Sequence, residues 1–176
     1  LGLNGAEINS GGFLPPVHLP IADILDSGTK RNEYLDKFIS RGIKLTALNC
    51  NGNPLHPKKE IGLKHSSDVL NSIKLASRLG QNRVVTMSGL PAGEASGKVA
   101  NWIVNAWNSG SLDVLDYQWE VAIDFWKKAD NLATDLGVKV ALELHPQNLV
   151  FNVSSFYEFA EKIGSNSIGV EYKSKN

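Results

Sequence analysis

A chain of 176 residues with 42% hydrophobic content fits one domain over residues 1–176, with enough apolar surface to bury a sizeable core. Eighteen basic against eighteen acidic residues leave no net charge, which argues against nucleic acid or an anionic membrane as partner and points to small molecules. One cysteine, Cys50, excludes an intrachain disulfide and a cysteine-based zinc cluster, and no apolar run reaches the roughly 18 residues of a membrane span, so a cytoplasmic protein is expected.

The first visible strand runs over residues 3–9 and is already under way at Leu1, so the chain is expected to begin mid-fold. Further strands are expected near 43–50, 82–88, 138–145 and 167–172, with helices near 30–41, 66–80, 112–136 and 154–163 between them. Such alternation is the signature of repeated βα units around a parallel sheet. Ser66 or Ser67 is expected to cap the second helix, which closes at Gly80. In the third, Trp119, Ala122, Phe125, Trp126, Ala129 and Ala133 recur at helical spacing until Gly137, which makes Trp119 and Trp126 core residues. Loops after the strands are long, notably 51–57 and 88–111, whereas Gly42, Gly80 and Gly137 make tight returns before them. A (β/α) barrel distributes its loops in this way, with the active face at the C-terminal ends of the strands.

Glu143 and His145 close the run Val138-Lys139-Val140-Ala141-Leu142-Glu143-Leu144-His145-Pro146. Residues two apart on a strand share a face, so the carboxylate and imidazole are expected side by side at the strand's lip, which Pro146 ends. Glu143 can ligate a hard cation or take a proton from a carbon next to a carbonyl, and His145 can bind a hydroxyl or assist that transfer. His56 lies in a proline-flanked loop. Asn101 and Trp102 offer an amide and an aromatic face suited to a sugar ring, and Glu7 ends the first strand at the same mouth. His18 and His65 are weaker candidates. Residues 88–93 match neither the dinucleotide fingerprint nor a phosphate-binding P-loop.

Glu7 with Gly11-Gly12-Phe13, the run Cys50 to Pro57, Val84 to Gly89, Asn101-Trp102, Tyr117 to Glu120 and Leu142 to Pro146 together resemble the sugar phosphate isomerase/epimerase family of the xylose isomerase-like barrel superfamily. The resemblance implies a partial (β/α)₈ TIM barrel, an α/β fold showing the second to sixth strands as a parallel sheet with outer helices. It also implies a divalent metal (Mn, Mg, Zn or Co) held by Glu, Asp, His and Glu at the ends of strands five to eight. Glu143 matches the first of these ligands. Lys173 stands at the aspartate position and cannot ligate a cation, so the metal site is expected to be incomplete. Glu171 is a substitute candidate, roughly 6–7 Å deeper on the same face.

The expected function is therefore that of part of a metal-dependent sugar or sugar phosphate isomerase or epimerase, moving a proton between adjacent carbons through an enediolate. The chain alone is expected to be nearly inactive, and prone to self-association through exposed sheet edges. A non-catalytic carbohydrate-binding or structural remnant is the alternative, followed by an abasic-site phosphodiesterase-like barrel, which the neutral charge disfavours.

Overall fold

The computed structural model describes residues 2–105, 107 and 109–171. The elements in chain order are β1 (Gly5–Asn9), α1 (Ile21–Asp26), α2 (Gly28–Ile39), β2 (Lys44–Asn49), α3 (Lys59–Arg78), β3 (Arg83–Thr86), α4 (Ser109–Asp135), β4 (Lys139–Leu142), α5 (Val153–Ile163) and β5 (Ile168–Val170). All four strand pairings are parallel, and spatial order equals chain order. A doubly wound sheet would reverse its order at a switch point; this order is that of an arc of a barrel.

Strand register sorts the side chains into two faces. Ile8, Leu48, Val84, Val140 and Ile168 pair across the sheet in one row, and Asn9, Asn49, Val85, Ala141 and Gly169 form the next. Because successive residues alternate, these rows point opposite ways. The first is apolar, with Leu48, Val84 and Val140 at 0–1% exposure in the cluster shared with the helices. The second carries two amides and a glycine and is mostly half-buried. Hydrophobic burial therefore fixes the outer face against the helices and leaves the inner face for polar groups.

Trp119 and Trp126 pack in the core as their spacing requires, and each fully buried large apolar side chain stabilises by about 1.5–3 kcal/mol relative to exposure. The Trp126 Nε1–H donates to the Ser88 carbonyl at 3.0 Å, tying the loop after β3 to α4. Asn152 and Ser155 form a reciprocal capping box at the start of α5, which ends at Gly164 with φ +64°.

Three expectations need correction. α3 starts at Lys59, not after Ser66 or Ser67; its N-cap Lys58 makes no side-chain cap, and Ser66 Oγ donates back to the Leu63 carbonyl. Its buried face begins with Gly62 and His65, which a hydrophobic count skips. α1, six residues long, is too short to show a period. The fourth strand ends at Leu142, three residues early, although the Glu143 N–H continues the ladder to the Thr86 carbonyl at 2.8 Å.

Candidate active-site rim

The loops at the C-terminal ends of β1 to β4 are stitched to one another in sequence. Gly12 N–H donates to Asp68 Oδ2 at 2.9 Å, and Phe13 N–H to the Asn51 carbonyl at 2.8 Å, joining the first loop to α3 and to the second loop. Asn53 joins the second to the third: its Nδ2 donates to the Leu90 carbonyl and its Oδ1 accepts from Leu90 N–H, both at 2.9 Å, as a strand partner would. Asn148 Oδ1 accepts from Gly89 N–H, and Leu149 N–H donates to the Gly89 carbonyl, joining the third to the fourth. Gly12 and Gly89 allow these approaches. A Cβ on Gly12 would lie 2.1 Å from the Asn51 oxygen, and one on Gly89 2.7 Å from Asn53 Oδ1.

Two carboxylates on the inner side of this rim are held by asparagines. Asn51 Nδ2 donates to Glu143 Oε2 at 2.7 Å, and Asn49 Nδ2 donates to Glu7 Oε1 at 2.8 Å. Asn51 is itself placed by its N–H bond to Asn49 Oδ1. Alternation from the Asn49, Val85, Ala141 and Gly169 row carries Asn51, Met87, Glu143 and Glu171 to the same inner face. The Glu171 N–H extends the β4–β5 ladder by donating to the Leu142 carbonyl at 2.9 Å.

Beside them, a cavity of about 460 Å³ is lined by Phe13, Asn53, His56, Met87, Trp102 and His145 among others. The structure thus brings His56, Trp102 and His145 to one rim. Asn101 is not among them: it lines a neighbouring cavity with Gly93, Glu94, Gly97 to Ala100 and Val114. His145 is exposed, with Nδ1 at 2.8 Å from the Pro146 carbonyl. Because a carbonyl only accepts, Nδ1 carries the proton, and Nε2 of a neutral ring is the acceptor. The Lys58 N–H donates to His56 Nδ1 at 3.0 Å, and burial lowers the pKa of this imidazole.

His65, one of the weaker candidates, holds the second loop in place. It is buried in α3, stands edge-on to Phe13, and its Nδ1 accepts the Asn53 N–H at 3.0 Å. Burial first, then Lys64, lowers its pKa, so the neutral ring that can accept is favoured. His18 lies apart, lining a cavity with Ile8 and Tyr34. Cys50 is buried, and burial pushes its thiol up to about 11, which removes it as a nucleophile near neutrality. Sequence reasoning missed the roles of Asn49, Asn51, Asn53 and Asn148; the asparagine-rich run 49–53 was the available signal.

Among the described residues no three His, Cys, Asp or Glu side chains gather into a metal cluster. Mg²⁺ prefers six oxygen ligands and Zn²⁺ four, so Glu143 alone does not constitute a metal centre. Lys173, at the expected aspartate position, lies outside the described residues. No helix among them is long and apolar enough to cross a membrane.

A parallel βα arc with polar groups gathered at the C-terminal ends of its strands defines the class, and the chain belongs to the xylose isomerase-like TIM barrel family, whose model matches residues 1–176. It is 40% identical over 168 residues to the uncharacterized protein YfiH of Bacillus subtilis (strain 168), an alignment covering 93% of this chain and 53% of YfiH. The xylose isomerase-like TIM barrel protein from Mycobacterium smegmatis in complex with magnesium shares the fold with a TM-score of 0.63 at 15% identity, over 96% of this chain and 51% of that one. L-ribulose 3-epimerase does so with a TM-score of 0.57 at 19% identity, over 95% and 49%. The chain spans about half the length of these relatives.

Proposed function

We propose that the chain supplies the substrate-facing arc of a sugar isomerase or epimerase, with Glu143 as its proton-transferring carboxylate. The observation that supports this best is Glu143 held by Asn51 on the inner face, on a rim whose cavity is lined by His56, Trp102 and His145. Glu143 takes the proton from a carbon beside a carbonyl, the C–H electrons move toward the carbonyl oxygen, and an enediolate results. Return of the proton to the neighbouring carbon, with the hydroxyl proton passing to the former carbonyl oxygen, completes an isomerisation. Asn51 fixes the carboxylate by donating to one oxygen. His145 and His56 meet sugar hydroxyls, and the Trp102 ring meets the apolar face of the sugar. Asn101 and Glu7 contribute at the margin of this surface.

Glu143 would be this chain's ligand to a divalent ion in the whole protein, and such an ion would supply positive charge beside the substrate oxygens. The Mycobacterium smegmatis protein was crystallised with magnesium, and the epimerase named above acts on a sugar, which supports both parts of the reading. With Lys173 at the position where the resemblance implies an aspartate ligand, the chain on its own is expected to show negligible turnover. Self-association through β1 and β5, the outer strands of the described sheet, belongs to the same reading.

The test is proton exchange. Incubation of the full-length, Mn²⁺-loaded protein with ketoses in D₂O is expected to place deuterium on the carbon beside the carbonyl, and Glu143→Gln to slow this by ~10²–10⁴-fold. Sugar binding without exchange would instead identify a non-catalytic carbohydrate-binding protein.

A further inference from the structure

Leu90, Trp102 and Asn148 line not only the rim cavity but also a second one, of about 250 Å³, walled by Gln118 and Trp119 of α4 and by Ser155 and Glu158 of α5. Gln118 is fully buried, and its Nε2 donates to the carbonyls of Pro91, Ala92 and Asn101 at 3.4, 3.2 and 2.6 Å. Those three acceptors fix the amide orientation, since reversing it would set oxygen against oxygen. Its Oε1 is therefore an acceptor, and it has no partner among the described residues. Trp102 Nε1 is a buried donor in the same condition, on a ring set edge-on to Phe151 at 5.5 Å. Buried polar groups without partners are uncommon in native folds, and here a donor and an acceptor belong to side chains lining one cavity.

A hydroxyl both accepts and donates, so it answers both groups. A phosphate at neutral pH mainly accepts, so it would leave Gln118 Oε1 unmatched; Glu158, the charged side chain among the described lining residues, already holds Lys162 at 3.5 Å. Leu115, Trp119 and Leu149 give the cavity an apolar wall suited to the C–H face of a sugar.

We propose that this second cavity binds an uncharged, hydroxyl-bearing part of a carbohydrate, with Trp102 Nε1 donating to its hydroxyls and Gln118 Oε1 accepting from them, and that it rejects the phosphorylated sugar. The inference rests on the carbohydrate reading of the rim but not on proton transfer at Glu143.

The experiment follows the indole N–H resonances of the ¹⁵N-labelled full-length Glu143→Gln protein, in which turnover is slowed. Trp102→Phe assigns the Trp102 peak by its loss. Titration with D-fructose is expected to move that peak saturably, and D-fructose 6-phosphate at equal concentration to move it at least fivefold less. Calorimetric titration of Trp102→Phe with D-fructose is expected to show roughly five- to tenfold weaker binding, the loss of one hydrogen bond, at an unchanged melting temperature. A Trp102 peak unmoved by D-fructose, an equal or larger response to the phosphate, or unchanged affinity in Trp102→Phe overturns the proposal. If the peak still moves in His145→Ala, which removes a wall of the rim cavity alone, while wild-type protein shows no deuterium exchange, the isomerase reading fails and this one stands; loss of the shift in His145→Ala assigns it to the rim and overturns the proposal. Exchange with an unmoved peak gives the reverse.

Discussion

The two ends of the sheet use the same residue types to opposite purposes. At the N-terminal ends of the strands, Gly42, Gly80, Gly137 and Gly164 reverse the chain with φ of +64° to +66°, and a Cβ on any of them would meet nothing within 4 Å. At the C-terminal ends, Gly12 and Gly89 also have positive φ, but each has a neighbouring loop pressed against it. Glycine at one end relieves only backbone strain; at the other it makes room for a stitched rim. Asparagine shows the same division. Asn82 and Asn166, before β3 and near β5, offer backbone carbonyls to Lys139, while Asn51, Asn53 and Asn148 spend their side chains joining loops and holding Glu143.

The largest expected difference between the ends is catalytic. Glu143→Gln should lower deuterium exchange by ~10²–10⁴-fold, the usual worth of a positioned general base, while Lys139→Gln, four residues away at the other end of β4, should leave it within twofold. Comparable losses in both would mean that the activity does not reside at the C-terminal rim.

Next comes a stability contrast. Gly12→Ala forces a methyl to 2.1 Å from the Asn51 carbonyl oxygen at a φ of +85°, and should cost about 3 kcal/mol or more, measured by urea denaturation. Gly42→Ala, with open space around it, should cost about 1 kcal/mol from the left-handed backbone alone. Equal values would remove the distinction between the two kinds of glycine.

Asn53→Ala deletes both bonds to Leu90 and the turn bond from Leu55 N–H, and should cost about 2–3 kcal/mol, with faster hydrogen exchange at Leu90. Protection retained at Leu90 would show that the second and third loops hold together without it.

The smallest effect is the pH response of the rim. His65 and His56 have lowered pKa values in the folded state, so between the folded and unfolded values the unfolded chain binds more protons. Their stabilising neutral state is fully present above the unfolded value near 6.5, and stability falls as pH drops below it toward the folded values. Protonation of His65 also removes the acceptor for Asn53 N–H. His65→Gln should flatten the decline in urea midpoint from pH 7 to pH 5; an undiminished slope would place the acid sensitivity elsewhere.

The fold was largely legible because it rests on local periodicity. Val138, Val140 and Leu142 alternate with less buried positions, and the Trp119 to Ala133 spacing gives a helical face directly. The start of α3 was not legible, because Gly62 and His65 occupy its buried face for reasons of contact rather than hydrophobicity. A Cβ on Gly62 would come within 2.6 Å of the His56 carbonyl, a neighbour the sequence does not disclose.

For the site, the sequence by itself determined the chemistry available: a carboxylate and an imidazole at the end of one strand, a histidine between prolines, and an aromatic side chain in a long loop. Only the tertiary structure decided which of these meet. It placed His56, Trp102 and His145 on one cavity, moved Asn101 to another, and gave Glu143 its partner 92 residues away in Asn51. The physical reason is that strand register and loop-to-loop hydrogen bonds join residues distant in sequence, whereas periodicity reports only which way each side chain faces.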